Sequence, residues 1–339
     1  MRFIHSADWQ IGKVYKQFGA KEESLRQSRL AAIERLGALA VAHGARHVFV
    51  AGDIYDSEAP TPITLRAPIE RMKPFSEVQW HLLPGNHDPH RPEGVWDRLA
   101  QMGLPAHIHL RLTPAVVDLD AGAALLPAPL TRKTEFDDIT AWMDAAATPA
   151  GVRSALAWRM VRWSISGAKA RRAILCRAGR QENGTALLVE VPAAGAAAEV
   201  TPLSTGTYRW VTRTERLADA GGVADLEQRL RGEPDLSRLI LRLQLDGHLP
   251  IAAYADLQNC LVDLEAAVFH LDVDQSALVA RPTEADLEAI DFDGVLRRCA
   301  DLKSLVDDTA QTAEVRHHAE EALVELYLKA AAPKNREAA

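Results

Sequence analysis

Three apolar runs near the start of the chain each lead to a residue with a side-chain oxygen, and each is followed by a stretch of helical spacing. Phe3 and Ile4 lead to Asp8 in "HSADWQIGK". His47 to Ala51 lead through Gly52 to Asp53 in "RHVFVAGDIYD". Val78 to Leu83 lead through Pro84 and Gly85 to Asn86 in "VQWHLLPGNHDPH". Between them Leu25, Ile33, Leu36 and Leu39 or Ala40 recur at helical spacing, with Gly44 as the C-terminal cap. Thr64 to Phe75 reads as a second helix, and Glu93 to Met102, closed by Gly103, as a third. Strand and helix in alternation imply a parallel sheet with right-handed crossovers. Such a sheet presents its strand C-termini along one edge, where open α/β sheets place their ligands. Asp8, Asp53 and Asn86 are therefore expected to converge.

Two carboxylates, an amide oxygen and nearby imidazoles suit Mn²⁺, Fe²⁺ or a similar cation better than a thiolate site would. Gly52 and Gly85 permit the tight backbone that turns a strand end outward and lets a ligand approach. At 339 residues the chain has room for two domains. Its net charge of -7 repels nucleic acid overall, so a phosphate substrate needs positive charge supplied locally, by metal ions or a basic patch. The three cysteines, Cys176, Cys260 and Cys299, are too few and too widely spaced for a disulfide framework or a zinc knuckle. No signal peptide and no apolar run of membrane-spanning length is visible, so a cytoplasmic protein with no membrane partner is expected.

"DWQ", "GDIYD" and "GNHD" resemble the first three signature motifs of the calcineurin-like metallophosphoesterases. The fuller stretches "FIHSADWQIG", "AGDIYDSEAP" and "LLPGNHDPHRP" are most similar to SbcD-type DNA repair exonucleases and their YhaO-like relatives. The resemblance covers residues 1–130 and is recognisable again from about 181 to 300. It implies an α/β sandwich of two sheets flanked by helices, here open to truncation, with a small α/β capping domain and C-terminal helices. It also implies two divalent metal ions, Mn²⁺ first and Fe²⁺ or Mg²⁺ next, that activate a water against a phosphodiester. By that resemblance Asp53 bridges the metals, Asp8 and Gln10 belong to the first and Asn86 to the second. His87 stabilises or protonates the leaving oxygen, while Asp56 and Asp88 hold loops and orient the ligands. His90 and Arg91 could reach a phosphate or form a solvated loop pair. DNA and an SMC-like ATPase are the implied partners, with a homodimer left open.

Two departures stand out. Gln10 occupies a position where many family members carry histidine. An amide oxygen can ligate a hard cation or hydrogen-bond a ligating water, but it is a weaker donor than imidazole for transition metals. The second departure is larger, because the family supplies further histidines after the third motif and this chain has none between His109 and His248. In their place Arg153–Arg180, "RSALAWRMVRWSISGAKARRAILCRAGR", holds eight Lys or Arg and no acidic residue. It reads as a basic amphipathic helix with Trp158 and Trp163 free to stack on bases, as an ordinary surface segment, or as a lesion that replaces ligand-bearing strands. The lesion is the favoured reading, and it predicts a sheet short of strands. His107 and His109, in the alternating "AHIHL", are expected to be structural.

Four domains are expected: a phosphoesterase domain over 1–210, a linker helix over 211–235, a capping-like α/β domain over 236–300, and a helical segment over 301–339. "TALLVEV", "AEVTPLS" and "TYRWVTR" read as strands of the second sheet. "LSRLILRLQLDG", with Leu239, Leu241, Leu243 and Leu245 on one face, then "YADLQNCLVDLEAAV" and "FHLDVD", read as a β–α–β unit in which His248 and His270 are structural. "HHAEEALVELYLKAA" is amphipathic through Val315, Ala319, Leu323 and Leu326, and the adjacent His317 and His318 make a poor metal pair. Three functions compete: a metal-dependent phosphodiesterase or exonuclease, an inactive homologue acting as a scaffold, and a small-molecule phosphoesterase.

Overall fold

The computed structural model describes residues 1–119, 123–147, 152–157, 160–165, 172–174, 184–193, 196–281 and 295–331, with backbone alone for 152–174, 295–300 and 326–331. The chain divides into two compact units, Met1–Arg209 and Trp210–Ala339.

The first unit opens with β1 (Arg2–Ser6), α1 (Glu22–Ala42), β2 (His47–Ala51), α2 (Pro62–Met72), β3 (Gln79–Leu83), α3 (Val95–Gln101) and β4 (Ile108–Leu110). The four strands pair in parallel in chain order, as the alternation of strand and helix predicts. Sequence sets the helix ends. The Thr61 hydroxyl caps α2 by accepting from the Thr64 N–H at 3.2 Å, and Pro62 fills the first helical position, where no amide donor is needed.

Next come β5 (Val117–Asp118), β6 (Ala123–Ala128), the short α4 (Trp142–Ala145), β7 (Val152–Ala157), β8 (Met160–Ile165), β9 (Arg172–Ile174), β10 (Thr185–Glu190) and β11 (Glu199–Ser204). Among the described residues one sheet runs β11-β10-β1-β2-β3-β4 and the other β5-β6-β7-β8-β9. Successive side chains of a strand point to opposite faces. Ile4, Val48, Val50, Trp80 and Leu82 therefore meet the helices through Ile33, Leu36, Met72 and Trp96. Phe3, Phe49, Ala51 and Leu83 meet β6 through Ala123 and Leu125 on the other face. The result is the expected two-sheet sandwich.

Three expectations change. "TALLVEV" and "AEVTPLS" do not extend the second sheet: β10 pairs antiparallel with β1, Arg2 opposite Glu190, and β11 pairs with β10. The Met1 ammonium on Val191 O at 2.6 Å and the Arg2–Glu190 ion pair lock that register. The described backbone of the basic segment forms β7, β8 and β9 rather than an amphipathic helix, and it fills the gap a lesion was expected to leave. Val161, Trp163 and Ile165 alternate with Arg162 and Ser164, a period that suits a strand. Trp158, invoked for base stacking, lies outside the described residues, and for Trp163 the backbone alone is described.

The inter-sheet face carries a row that no single strand reveals. Register places His5, Phe49, His81 and His109 side by side across β1 to β4. Arg111 donates to His81 Nδ1 at 2.9 and 3.1 Å. A guanidinium has only donors, so His81 carries its proton on Nε2 and passes it toward His47 Nδ1 at 3.0 Å. His109 bonds the Gln79 amide oxygen at 2.8 Å, and His107 lies 3.4 Å from Met72 O, which makes both structural.

Burial holds His5 down at about 4; burial, then the Arg111 charge, holds His81 at about 2. The unfolded chain, with histidines near 6.5, binds protons that the folded chain refuses. Their contribution is complete above pH 6.5 and is lost as the pH falls from there toward the folded values. The expected loss by pH 4 is on the order of a few kcal/mol. Urea midpoints at pH 7.5, 6 and 4.5 should fall in that order, with a shallower fall in His5→Leu; equal slopes in the two proteins would contradict it.

The second unit contains most of β12 (Arg209–Leu217), then α5 (Ala220–Arg231), β13 (Leu239–Pro250), α6 (Ile251–Ala267) and β14 (His270–Arg281). "TYRWVTR" belongs to its sheet, β12-β13-β14, and not to the sandwich. The stretch 211–235 is therefore a strand and a helix, not a linker helix, because Asp219 caps a new helix start by accepting from Gly222 N–H at 2.8 Å. β13 and β14 are parallel with α6 between them, the expected β–α–β unit. Leu239, Leu241, Leu243 and Leu245 are buried against α6. Helices Val295–Asp307 and Ala313–Ala331 follow. On the second, Ala319 and Leu323 are buried, but Val315, expected on the apolar face, is exposed. His248, His317 and His318 are exposed. Among the described residues no helix is long and apolar enough to cross a membrane.

Candidate metal centre

The loops after β1 and β2 run alongside each other and continue the parallel pairing beyond the strands. Asp8 N–H donates to Gly52 O at 3.2 Å, Gln10 N–H to Asp53 O at 2.8 Å and Ile11 N–H to Ile54 O at 2.8 Å. Asp8, Gln10 and Asp53 all take left-handed backbone, with φ of 56°, 45° and 53°. Non-glycine residues rarely adopt that conformation, and three of them at one sheet edge mark stored strain of the kind found at ligand sites.

Arg29 of α1 holds the first loop. Its Nη1 donates to Trp9 O at 2.6 Å and Gln10 O at 3.3 Å, and the guanidinium lies over the Tyr15 ring, 5.1 Å from its centre. Arg29→Met keeps the stem and deletes these bonds. It is expected to cost about 1–3 kcal/mol, read as a lower denaturant midpoint; an unchanged midpoint would show that the loop holds itself.

Asp53 is 1% exposed. Its Oδ1 accepts from the His87 N–H at 2.9 Å, whereas its Oδ2 is buried and accepts nothing among the described residues. Asn86 Oδ1 is in the same condition. Buried acceptors are normally satisfied, and leaving one bare costs free energy. Two bare oxygens on adjacent strand ends are what a hard cation would complete. Gly85 makes the approach possible, since a Cβ there would stand 2.2 Å from Asp53 N and Oδ1.

Asp88, 0% exposed, ties the loops together. Its Oδ1 accepts from Gly85 N–H at 2.7 Å and Asp53 N–H at 3.2 Å, and its Oδ2 from Tyr55 N–H at 3.0 Å. Trp96 Nε1 donates to its backbone carbonyl. Burial pushes the Asp88 carboxyl up to about 7 and the Asp53 charge adds to the rise, against the Tyr55, Gly85 and Ile54 N–H groups.

The imidazole of His87 is partly exposed, with Nδ1 3.2 Å from Asp56 O and 3.9 Å from Asp56 Oδ1. A carbonyl only accepts, so Nδ1 carries the proton and Nε2 is left for a ligand. The remaining candidates are engaged elsewhere. His90 Nε2 pairs with Asp97 Oδ1 at 3.1 Å, and Arg91 with Glu58 at 3.1 Å, which favours the loop-pair reading of both. Gln10 Oε1 accepts from Lys13 Nζ at 2.7 Å, a contact that sequence spacing did not single out.

Residues 1–129 match the calcineurin-like phosphoesterase family model. The match ends well short of half of the 339-residue chain and contains every residue of this rim. No curated protein matches the chain. A calcineurin-like phosphoesterase domain supports a metal-dependent phosphoesterase in general and implies divalent metal ions. The bare oxygens of Asp53 and Asn86, with Asp8 at the neighbouring strand end, fit one hard cation that keeps several waters. Among the described residues no group of three or more His, Cys, Asp or Glu is placed to hold a metal ion, at this rim or elsewhere, so the donor set here rests on the amide oxygen of Asn86 beside the carboxylates.

Proposed function

We propose that the chain is a metal-dependent phosphodiesterase of the SbcD type, acting on DNA ends with an SMC-like ATPase as partner. The observation that carries the catalytic part is the pair of buried, unsatisfied oxygens, Asp53 Oδ2 and Asn86 Oδ1. A divalent cation bound there would polarise the phosphoryl group and bring a bound water into ionisation near neutral pH. Asp8, Asp53 and Asn86 hold that cation. His87, oriented through Nδ1 by Asp56 O, offers Nε2 to the leaving oxygen. Asp88 fixes the two loops on which Asp53 and Asn86 stand. The two-metal clamp implied by the resemblance would need a second donor set, and no histidine stands between His109 and His248 to build one. DNA as substrate and the ATPase partner rest on the SbcD-like stretches, the β13–α6–β14 unit and the C-terminal helices.

A second reading is favoured by Gln10, whose amide oxygen is taken by Lys13. In that reading the chain is an inactive homologue that keeps the fold as a scaffold. Hydrolysis of bis-p-nitrophenyl phosphate, of linear duplex DNA and of mononucleotides, with Mn²⁺ or with EDTA, separates the readings. Mn²⁺-dependent turnover that disappears in Asp53→Asn supports the enzyme. A folded, metal-loaded chain without turnover on any of the three supports the scaffold, and turnover on mononucleotides alone supports a small-molecule phosphoesterase.

A further inference from the structure

Gln10 and Lys13 form a unit that the expected site does not account for. Lys13 N–H donates to Gln10 O at 3.2 Å, closing a four-residue turn, and Gly12 provides its left-handed third position at φ 95°. A Cβ on Gly12 would also stand 3.0 Å from Thr64 Cγ2, so both the turn and the space call for glycine. The turn brings Lys13 Nζ back onto Gln10 Oε1. Gln10 is itself fixed beside Asp53, through its N–H on Asp53 O at 2.8 Å and its carbonyl on Arg29 at 3.3 Å. An ammonium has three donors, and among the described residues Lys13 Nζ uses one.

A phosphodiester needs positive charge that a chain of net charge -7 does not supply by its overall field. Among the described residues the buried acceptors on the rim without a partner are one oxygen of Asp53 and one of Asn86, enough for one cation with waters. Gln10, of the first motif, is already bound to an ammonium. On the metal-dependent reading above, we infer that this site holds one divalent cation and that the Lys13 ammonium, anchored on Gln10, takes the place of the second as a phosphate-binding charge. Gln10 then serves as the acceptor that positions Lys13.

The test counts Mn²⁺ per chain by equilibrium dialysis and electron paramagnetic resonance, and measures inorganic phosphate binding to the Mn²⁺-loaded protein by calorimetry, in wild type and Lys13→Met. Lys13 lies on a loop and is partly exposed, so the variant folds; its circular dichroism checks this. The expected result is one Mn²⁺ per chain with an uncoupled spectrum in both proteins, and phosphate affinity at least about tenfold weaker in the variant, the scale of one charge-assisted hydrogen bond. Two Mn²⁺ per wild-type chain with an exchange-coupled spectrum would overturn the inference. So would one Mn²⁺ with equal phosphate affinity in the two proteins. A folded wild-type chain that binds no Mn²⁺ would instead overturn the metal-dependent reading on which it rests.

Discussion

Asp53→Asn should make the metal-free protein more stable and the metal-loaded protein no more stable than that. Asp53 is buried with one oxygen satisfied by the His87 N–H and the other bare. The substitution keeps an oxygen for His87 and removes the charge that would otherwise sit in the interior without a partner. Relief of such a group is worth about 1–3 kcal/mol. In wild type, a cation at a hundred times its dissociation constant adds about 2.7 kcal/mol. For a domain of this size that is a rise on the order of 5–10 °C in melting temperature. The variant should start higher and show no rise with Mn²⁺. This is the exchange of stability for function expected at a binding site. A variant less stable than wild type in EDTA would mean that the carboxylate is held by contacts in the apo protein and not by a missing cation.

Gly85→Ala should be the most damaging single methyl in the first unit. Its Cβ would stand 2.2 Å from Asp53 N and Oδ1, and the atoms it meets are backbone and the buried carboxylate oxygen that the His87 N–H holds. Neither can swing aside as a flexible side chain could. The expected cost is about 3 kcal/mol or more, at the upper end for overpacking. Loss of Mn²⁺ binding should accompany it, because relief of the clash moves Asp53 relative to Asn86. Thermal denaturation and Mn²⁺ titration of this one variant check both parts. Full stability with wild-type Mn²⁺ affinity would show that the loops are looser than the hydrogen bonds of Asp88 indicate.

Some of this was legible in the sequence and some was not, and the division follows the range of the interactions. Asp8, Asp53 and Asn86 could be placed because each sits at the end of a short apolar run, a local signal, and chain order then fixes a parallel sheet. The Leu239 to Leu245 alternation announced β13 in the same way. The return of β10 to β1 had no local signal, because it is set by pairing between Arg2 and Glu190, at opposite ends of the unit. The basic segment 153–180 carries only a short strand alternation, around Val161 to Ile165, and its scattered Lys and Arg obscure that period. The histidine row fails for a related reason: His81 and His109 are ordinary singly and become a network only through register and Arg111. Gln10 stands among the expected ligands through its place in the first motif, where the resemblance puts a metal ligand. Its engagement by Lys13 depends on a turn, and the turn on Gly12.

The most direct test of the central claim is calorimetric titration of Mn²⁺ into the metal-free wild-type chain beside Asp53→Asn. Saturable binding by the wild type that is lost in the variant is the predicted result. Equal binding by both, or none by a folded wild type, would contradict the assignment of the Asp8–Asp53–Asn86 rim as a metal centre.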